Sequence, residues 1–159
     1  MLFVDQENLR NGANEYDEDY EYDFVKLRDV LCDDYYIVRS YWFASWHPES
    51  GRPTNFYTAL QREGFRLTDS PRVERGGTYI EKGVDITLAT EMLAHAFQDS
   101  YDTAVLVSGD QDYRRVIEYI QDRGKRVVVA GWENSSLSKI QNQADEFVTL
   151  DDIADAVEK

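Results

Sequence analysis

Four aspartates stand out by where they fall in the chain. Asp5 leaves the first apolar run, Leu2–Val4. Asp110 and Asp112 lie in Ser108-Gly109-Asp110-Gln111-Asp112, at the end of the most apolar run, and Asp85 opens a long periodic segment after Lys82-Gly83. In open parallel sheets, ligands bind beyond the carboxyl ends of the strands, near the point where strand order reverses. Carboxylates gathered in one such cleft repel one another and cannot all stay ionised without a cation. Oxygen-only ligation suits Mg²⁺ or Mn²⁺. An ion of that kind lowers the pKa of a coordinated water and offsets charge on a leaving oxygen, so the chemistry implied is phosphodiester hydrolysis. A competing reading is structural: Asp is a common helix cap, and Asp85 and Asp112 stand where helices begin. Asp5, followed by Glu7 and Asn8, leaves a buried strand, where an acid has no routine structural duty.

Short apolar runs alternate with helical periodicity along the chain and supply the elements that must position these acids. Strands are expected at Leu2–Val4, Tyr36–Ala44, Phe65–Thr68, Thr103–Ser108, Lys125–Gly131 and Phe147–Thr149, where β-branched and aromatic residues cluster. Helices are expected from Phe24 to Leu31 behind Asp23 as cap, over Thr54–Arg62 closed by Gly64, and from Val84 through Phe97. Others are expected over Asp112–Arg123, Ser136–Gln143 and Asp151–Val157. Pro71 to Gly83 reads as a loop or hairpin turning at Gly76-Gly77, and the acidic, tyrosine-rich tract Glu15–Asp23 as a solvated, partly unordered face. This rhythm indicates βαβ crossovers: one α/β domain over residues 1–159, with a mostly parallel central sheet covered by helices on both faces. The first strand and Thr103–Ser108 are the candidates for its centre.

Composition sets limits. With 17 Lys+Arg against 31 Asp+Glu, the 159-residue chain carries a formal charge of −14, which argues against holding nucleic acid through general attraction to a basic face. Asp outnumbers Glu and Arg outnumbers Lys, a bias resembling proteins of salt-loving organisms, in which acidity reports the solvent rather than the partner. One cysteine, Cys32, excludes an internal disulfide and a cysteine-rich zinc site. No apolar run approaches membrane-spanning length and no secretory signal is visible, so a cytoplasmic location without membrane contact is expected. His95 and Cys32 read as structural, and Trp42, Trp46 and Trp132 as core or rim.

The residues also carry a family resemblance. Phe3-Val4-Asp5-Gln6-Glu7-Asn8-Leu9 resembles the FIDGENL-type opening of the NYN (LabA-like) domain family. Glu81-Lys82-Gly83-Val84-Asp85-Ile86-Thr87-Leu88-Ala89 is similar to its KGVDV-helix motif, and Leu106-Val107-Ser108-Gly109-Asp110-Gln111-Asp112-Tyr113 to its VSGDxDF motif, with Tyr113 in place of Phe. The segment from Leu137 through Ala144-Asp145-Glu146-Phe147 resembles the family's ending. Gln6 stands where Gly is usual, and Glu91 where many members carry Asp.

That resemblance implies a PIN-like, Rossmann-related three-layer fold and a divalent-metal-dependent ribonuclease. Its pocket would be Asp5, Asp85, Asp110 and Asp112, as catalytic residues and ligands of Mg²⁺ or Mn²⁺. Asn8 and Ser108 would orient substrate or a ligand. Lys82 and Arg114, with Arg10, Arg72, Arg75, Lys125 and Arg126 as further candidates, would track the backbone of single-stranded or structured RNA, with Tyr79 or Tyr113 stacking on bases. Products would carry 5′-phosphate, and a homodimer presenting basic loops to one RNA is compatible with this reading. Two other classes compete: a catalytically weak RNA-binding or regulatory module, and a receiver-like phosphoacceptor domain. The second fits the KGVD and SGDQD pairing poorly.

Overall fold

The computed structural model of the protein describes residues 1–133 and 140–159. Six strands form one parallel sheet in the order β3-β2-β1-β6-β7-β8. They are β1 (Leu2–Asp5), β2 (Ser40–Trp46), β3 (Phe65–Pro71), β6 (Thr103–Val107), β7 (Arg126–Gly131) and β8 (Glu146–Thr149). A separate hairpin pairs β4 (Val73–Arg75) with β5 (Thr78–Ile80), turning at Gly76-Gly77, both at positive φ. The order runs outward from β1 to β3, then returns to place β6 beside β1. The two strands expected at the centre are therefore adjacent there and flank the reversal point.

Alternation along β1 shows how the sheet is covered. Leu2 and Val4 face one core with Leu27, Trp42, Tyr57, Leu60 and Trp132, while Phe3 faces another with Leu88, Met92, Leu106, Ile117 and Val129. The first core is roofed by α1 (Gln6–Tyr16), α2 (Phe24–Leu31), α3 (Thr54–Arg62) and the short α6 (Ala154–Val157). The second is roofed by α4 (Val84–Phe97) and α5 (Arg114–Asp122), the latter entered through a 3₁₀ turn at Gln111–Tyr113. Both faces of a parallel sheet need such cover because its strands are apolar on both sides.

Several elements depart from the sequence expectation. The second strand runs over Ser40–Trp46 because its pairing with β1 begins at Leu2 opposite Ser40; Tyr36, ahead of it, is 91% exposed. Helix α1 was not expected, because its buried stripe is narrow and small: Leu9, Gly12 and Ala13. The tract Glu15–Asp23 is ordered rather than loose. Its carboxylates outside Asp23 are exposed, but Tyr16 and Tyr20 pack on Trp132, the Tyr20 hydroxyl donates to the Ala154 carbonyl (2.8 Å), and Asp23 caps α2. Phe97, at the end of α4, is 56% exposed and lies under the Arg123 guanidinium. The helix expected over 136–143, and Leu137 of the last motif, fall at least partly outside the described residues.

Candidate functional site

At the carboxyl end of the sheet, β1 runs directly into α1, and Asp5 is both the last strand residue and the cap of the helix. Its Oδ1 accepts the Asn8 N–H (3.1 Å) and its Oδ2 accepts the Ser108 hydroxyl (3.2 Å). Asp5 therefore does have a structural duty, contrary to the expectation from its place after a buried strand. From the neighbouring strand, the Gly109 N–H donates to Asn8 Oδ1 (2.8 Å) and the Asp110 N–H to Ser108 Oγ (3.2 Å). Asp110 caps the 3₁₀ turn by accepting the Asp112 N–H (2.9 Å). The loops after β1 and β6 are thus stitched together through Asn8 and Ser108. Asp112 caps nothing, and Asp85 is not a cap either: Gly83, at φ +83°, begins α4 and leaves Asp85 in its first turn.

The charges tell which of these groups share a neighbourhood. Asp5, 4% exposed, is pushed up to about 6, by burial first and by the Asp85 and Asp110 charges; the hydrogen bonds from Asn8 and Ser108 work the other way. Asp85 is raised by partial desolvation, then by Asp110, Asp112 and Glu7, while the Tyr113 hydroxyl favours its ionised form. Asp85 therefore lies within electrostatic reach of Asp5, Asp110 and Asp112. Helices α1 and α4 both begin beside these acids, Asp5 capping the first and Asp85 lying in the first turn of the second, so the positive ends of their dipoles favour anions there.

Two further acids belong to the site. Glu7 receives an ion pair from Arg72 and a hydrogen bond from the Ser45 hydroxyl (3.3 Å), and Arg72 Nε also donates to Ser45 Oγ (3.2 Å). Glu81, at the foot of the β4–β5 hairpin, is pushed up to about 7, chiefly by burial and then by the adjoining Glu7 and Asp5 charges, against the Ser45 hydrogen bond. The signal for Glu7 was its place in the first motif. The corresponding signal for Glu81 was its place at the head of the second motif, four residues before Asp85.

Other expected contacts are redistributed. Lys82 and Arg114 are exposed. Arg72 is committed to Glu7 rather than free for an RNA backbone. Lys125 pairs with Asp99 and Asp102, and Arg126 with Glu146, at the amino end of the sheet and away from the aspartates. Tyr79 packs edge-on against His47 with ring centres 4.3 Å apart, and Tyr113 is 2% exposed and unable to serve as an open base-stacking platform. Glu91 faces His95 at 3.4 Å rather than the acidic pocket. His95 in turn shares a hydrogen bond with the Tyr41 hydroxyl (2.7 Å), and Cys32 is buried at the end of α2, as expected of structural residues.

Among the described residues, no three Asp, Glu, His or Cys side chains are set to hold a metal ion as they stand. The chemistry of the donors nevertheless fits a hard cation. The set is all oxygen, three of its carboxyls are held above their ordinary range, and Glu81 Oε2 is buried with no hydrogen-bond partner. A divalent ion would relieve this uncompensated charge. No described helix is long and apolar enough to cross a membrane.

Comparison with known proteins agrees with the fold. The crystal structure of VPA0982 from Vibrio parahaemolyticus, described as a protein of unknown function, superposes with a TM-score of 0.83 at 24% identity, covering 99% of this chain and 94% of that one. The uncharacterized protein MJ0482 of Methanocaldococcus jannaschii is 28% identical over 142 residues, 89% of this chain and 53% of its own length. The low amplitude and bright protein LabA of Synechococcus elongatus is 27% identical over 130 residues, 77% of this chain and 68% of its own. The chain thus spans about half of the first relative and about two thirds of the second. The NYN domain profile matches residues 1–151, nearly the whole chain. Matched over nearly its whole length, the chain belongs to the NYN domain family, whose superfamily is that of the PIN-like nucleases.

Proposed function

We propose that the protein is a divalent-metal-dependent ribonuclease acting at the reversal point between β1 and β6. The observation that carries this reading is the meeting of Asp5, Asp85, Asp110 and Asp112 from three separate chain segments, with Asp5 raised by burial and the Asp85 and Asp110 charges, and the more exposed Asp85 by partial desolvation and the Asp110 and Asp112 charges. A purely structural origin would leave each as a lone helix cap, and Asp85 and Asp112 cap nothing.

Asp5, Asp110, Asp85 and Asp112 would hold Mg²⁺ or Mn²⁺, with Glu7 and Glu81 as neighbouring carboxylates. When bound, the ion supplies Lewis-acid activation of the attacking water and offsets charge on the leaving 3′-oxygen. Ser108 and Asn8 lock the β1 and β6 loops so that Asp5 and Asp110 keep a fixed relation. The helix N-termini favour the phosphate anion. Lys82 and Arg114, exposed beside Asp85 and Asp112 in sequence, approach the flanking backbone of single-stranded or structured RNA.

The test is incubation of end-labelled single-stranded and hairpin RNA with Mg²⁺, Mn²⁺ or EDTA, at low and at molar salt. Cleavage with metal, lost in EDTA and leaving 5′-phosphate ends, is the expected result. Metal-dependent binding with no cleavage at any metal or salt would favour the regulatory-module reading and overturn the enzyme.

A further inference from the structure

The Tyr113 ring is buried against Leu106 and Ile117 on the α4–α5 side of the sheet, where the family motif carries Phe; the hydroxyl is what this chain adds. That hydroxyl is not accommodated as a structural group. The residue is 2% exposed, and Oη is buried without a hydrogen-bond partner. Leaving a buried hydroxyl unpaired is unfavourable, so native chains seldom retain one without a use. The charged groups around it are Asp5, Asp85, Asp110 and Glu81. An O–H group among carboxylates can act only as their donor.

Asp5 is fixed by Asn8 and Ser108, and Asp110 by the Asp112 N–H. Glu81, with Oε2 unpaired, sits beside Ser45 and Glu7 at the foot of the hairpin. Asp85 differs. It comes from the opposite side of the site, in the first turn of α4, and no backbone N–H among the described residues holds its carboxylate. Apart from partial desolvation and the Asp110, Asp112 and Glu7 charges, which oppose its ionisation, the neighbour that acts on it is the Tyr113 hydroxyl, which lies near enough to favour the carboxylate without forming a hydrogen bond of full geometry.

We propose that Tyr113 is a positioning residue: its hydroxyl donates to Asp85 and turns that carboxylate toward Asp5 and Asp110 when a divalent cation occupies the pocket. The proposal rests on the metal reading above. Partners that orient metal ligands characteristically change affinity by about 10–100-fold when removed. Asp85 then joins the two sides of the site, one built on β1 and β6 and the other on α4.

The test is Mn²⁺ binding by calorimetry to the parent, Tyr113→Phe, Asp85→Asn and the double variant, with melting of each metal-free protein. Phe is the family's own residue at 113, so Tyr113→Phe is expected to fold and to melt at or above the parent temperature. It is expected to weaken Mn²⁺ by about tenfold, and to add no further loss in the Asp85→Asn background. Unchanged Mn²⁺ affinity in Tyr113→Phe, or an equal further loss in Asp85→Asn, overturns the proposal. If the parent itself binds no Mn²⁺, the metal reading fails, and Tyr113 positioning for a metal falls with it. Parent binding with an unaffected Tyr113→Phe rejects Tyr113 alone. A slowly exchanging hydroxyl proton, assigned by its loss in Tyr113→Phe, should shift when Mg²⁺ is added to the parent and stay in place in Asp85→Asn; an unmoved resonance in the Mg²⁺-bound parent overturns the contact.

Discussion

Asp5 is asked to do two things whose physical demands conflict. Its cap and Ser108 bonds favour the carboxylate, yet burial and neighbouring acids push it up to about 6 from an ordinary 3.8. An acid raised on folding binds more protons in the native than in the unfolded state, so stability falls as pH rises between those two values. At pH 7 without metal, that shift corresponds to a destabilisation of about 3 kcal/mol. Glu81, pushed up to about 7, acts in the same direction. The expected outcome is that the metal-free protein melts at higher temperature at pH 5 than at pH 7.5. Asp5→Asn, which keeps a capping oxygen, should flatten that slope and stabilise the metal-free protein at pH 7 by about 1–3 kcal/mol in denaturant titration. A slope unchanged in Asp5→Asn would remove Asp5 from the strained set. Saturating Mg²⁺ at pH 7.5 should offset the same penalty in the parent, since a ligand that binds only the native state stabilises it by mass action.

Helix α1 shows how an element far from the charges can govern them. Its first turn carries Glu7 and Asn8, and its second rests on Trp132, whose indole N–H donates to the Leu9 carbonyl (3.0 Å). A methyl group placed on Gly12 would lie 2.2 Å from Trp132 Cδ1, so α1 sits as close as it does because residue 12 has no side chain. Gly12→Ala must displace either the helix or the indole. It is expected to lower stability by about 1–3 kcal/mol in chemical denaturation and to reduce cleavage along with it, despite lying outside the pocket. The same helix marks a boundary of what the sequence discloses. Strands β1 and β6 announce themselves through Leu2–Val4 and Ala104–Val107, and the acids ending them follow from strand polarity. By contrast, α1 hides because Leu9, Gly12 and Ala13 make too small an apolar stripe to register as periodic. The meeting of Ser45 with Glu7 and Glu81 escapes for another reason: β2 and the hairpin bring these residues together only in three dimensions. Lys125 and Arg126 mislead because a cation's position in sequence does not say which end of the sheet it occupies.

At the scale of the whole molecule, a charge of −14 would repel an RNA backbone if contact relied on the general surface. The arrangement of the acids changes that inference. Six of them, Asp5, Glu7, Glu81, Asp85, Asp110 and Asp112, gather at the carboxyl end of the sheet, and Arg72 is the cation paired among them in the described residues. A divalent ion there would turn local repulsion into local affinity for phosphate, so RNA contact is expected to depend on metal. The cations expected to form a basic track are instead divided between the two ends of the sheet, several in ion pairs with surface acids. The most direct measurement is single-turnover cleavage of an end-labelled RNA with Mn²⁺ by the parent and by Asp110→Asn, alongside the melting curve of each. The account predicts a rate reduced by at least about 100-fold in Asp110→Asn with the fold intact. Parent-like cleavage by a folded Asp110→Asn would contradict it.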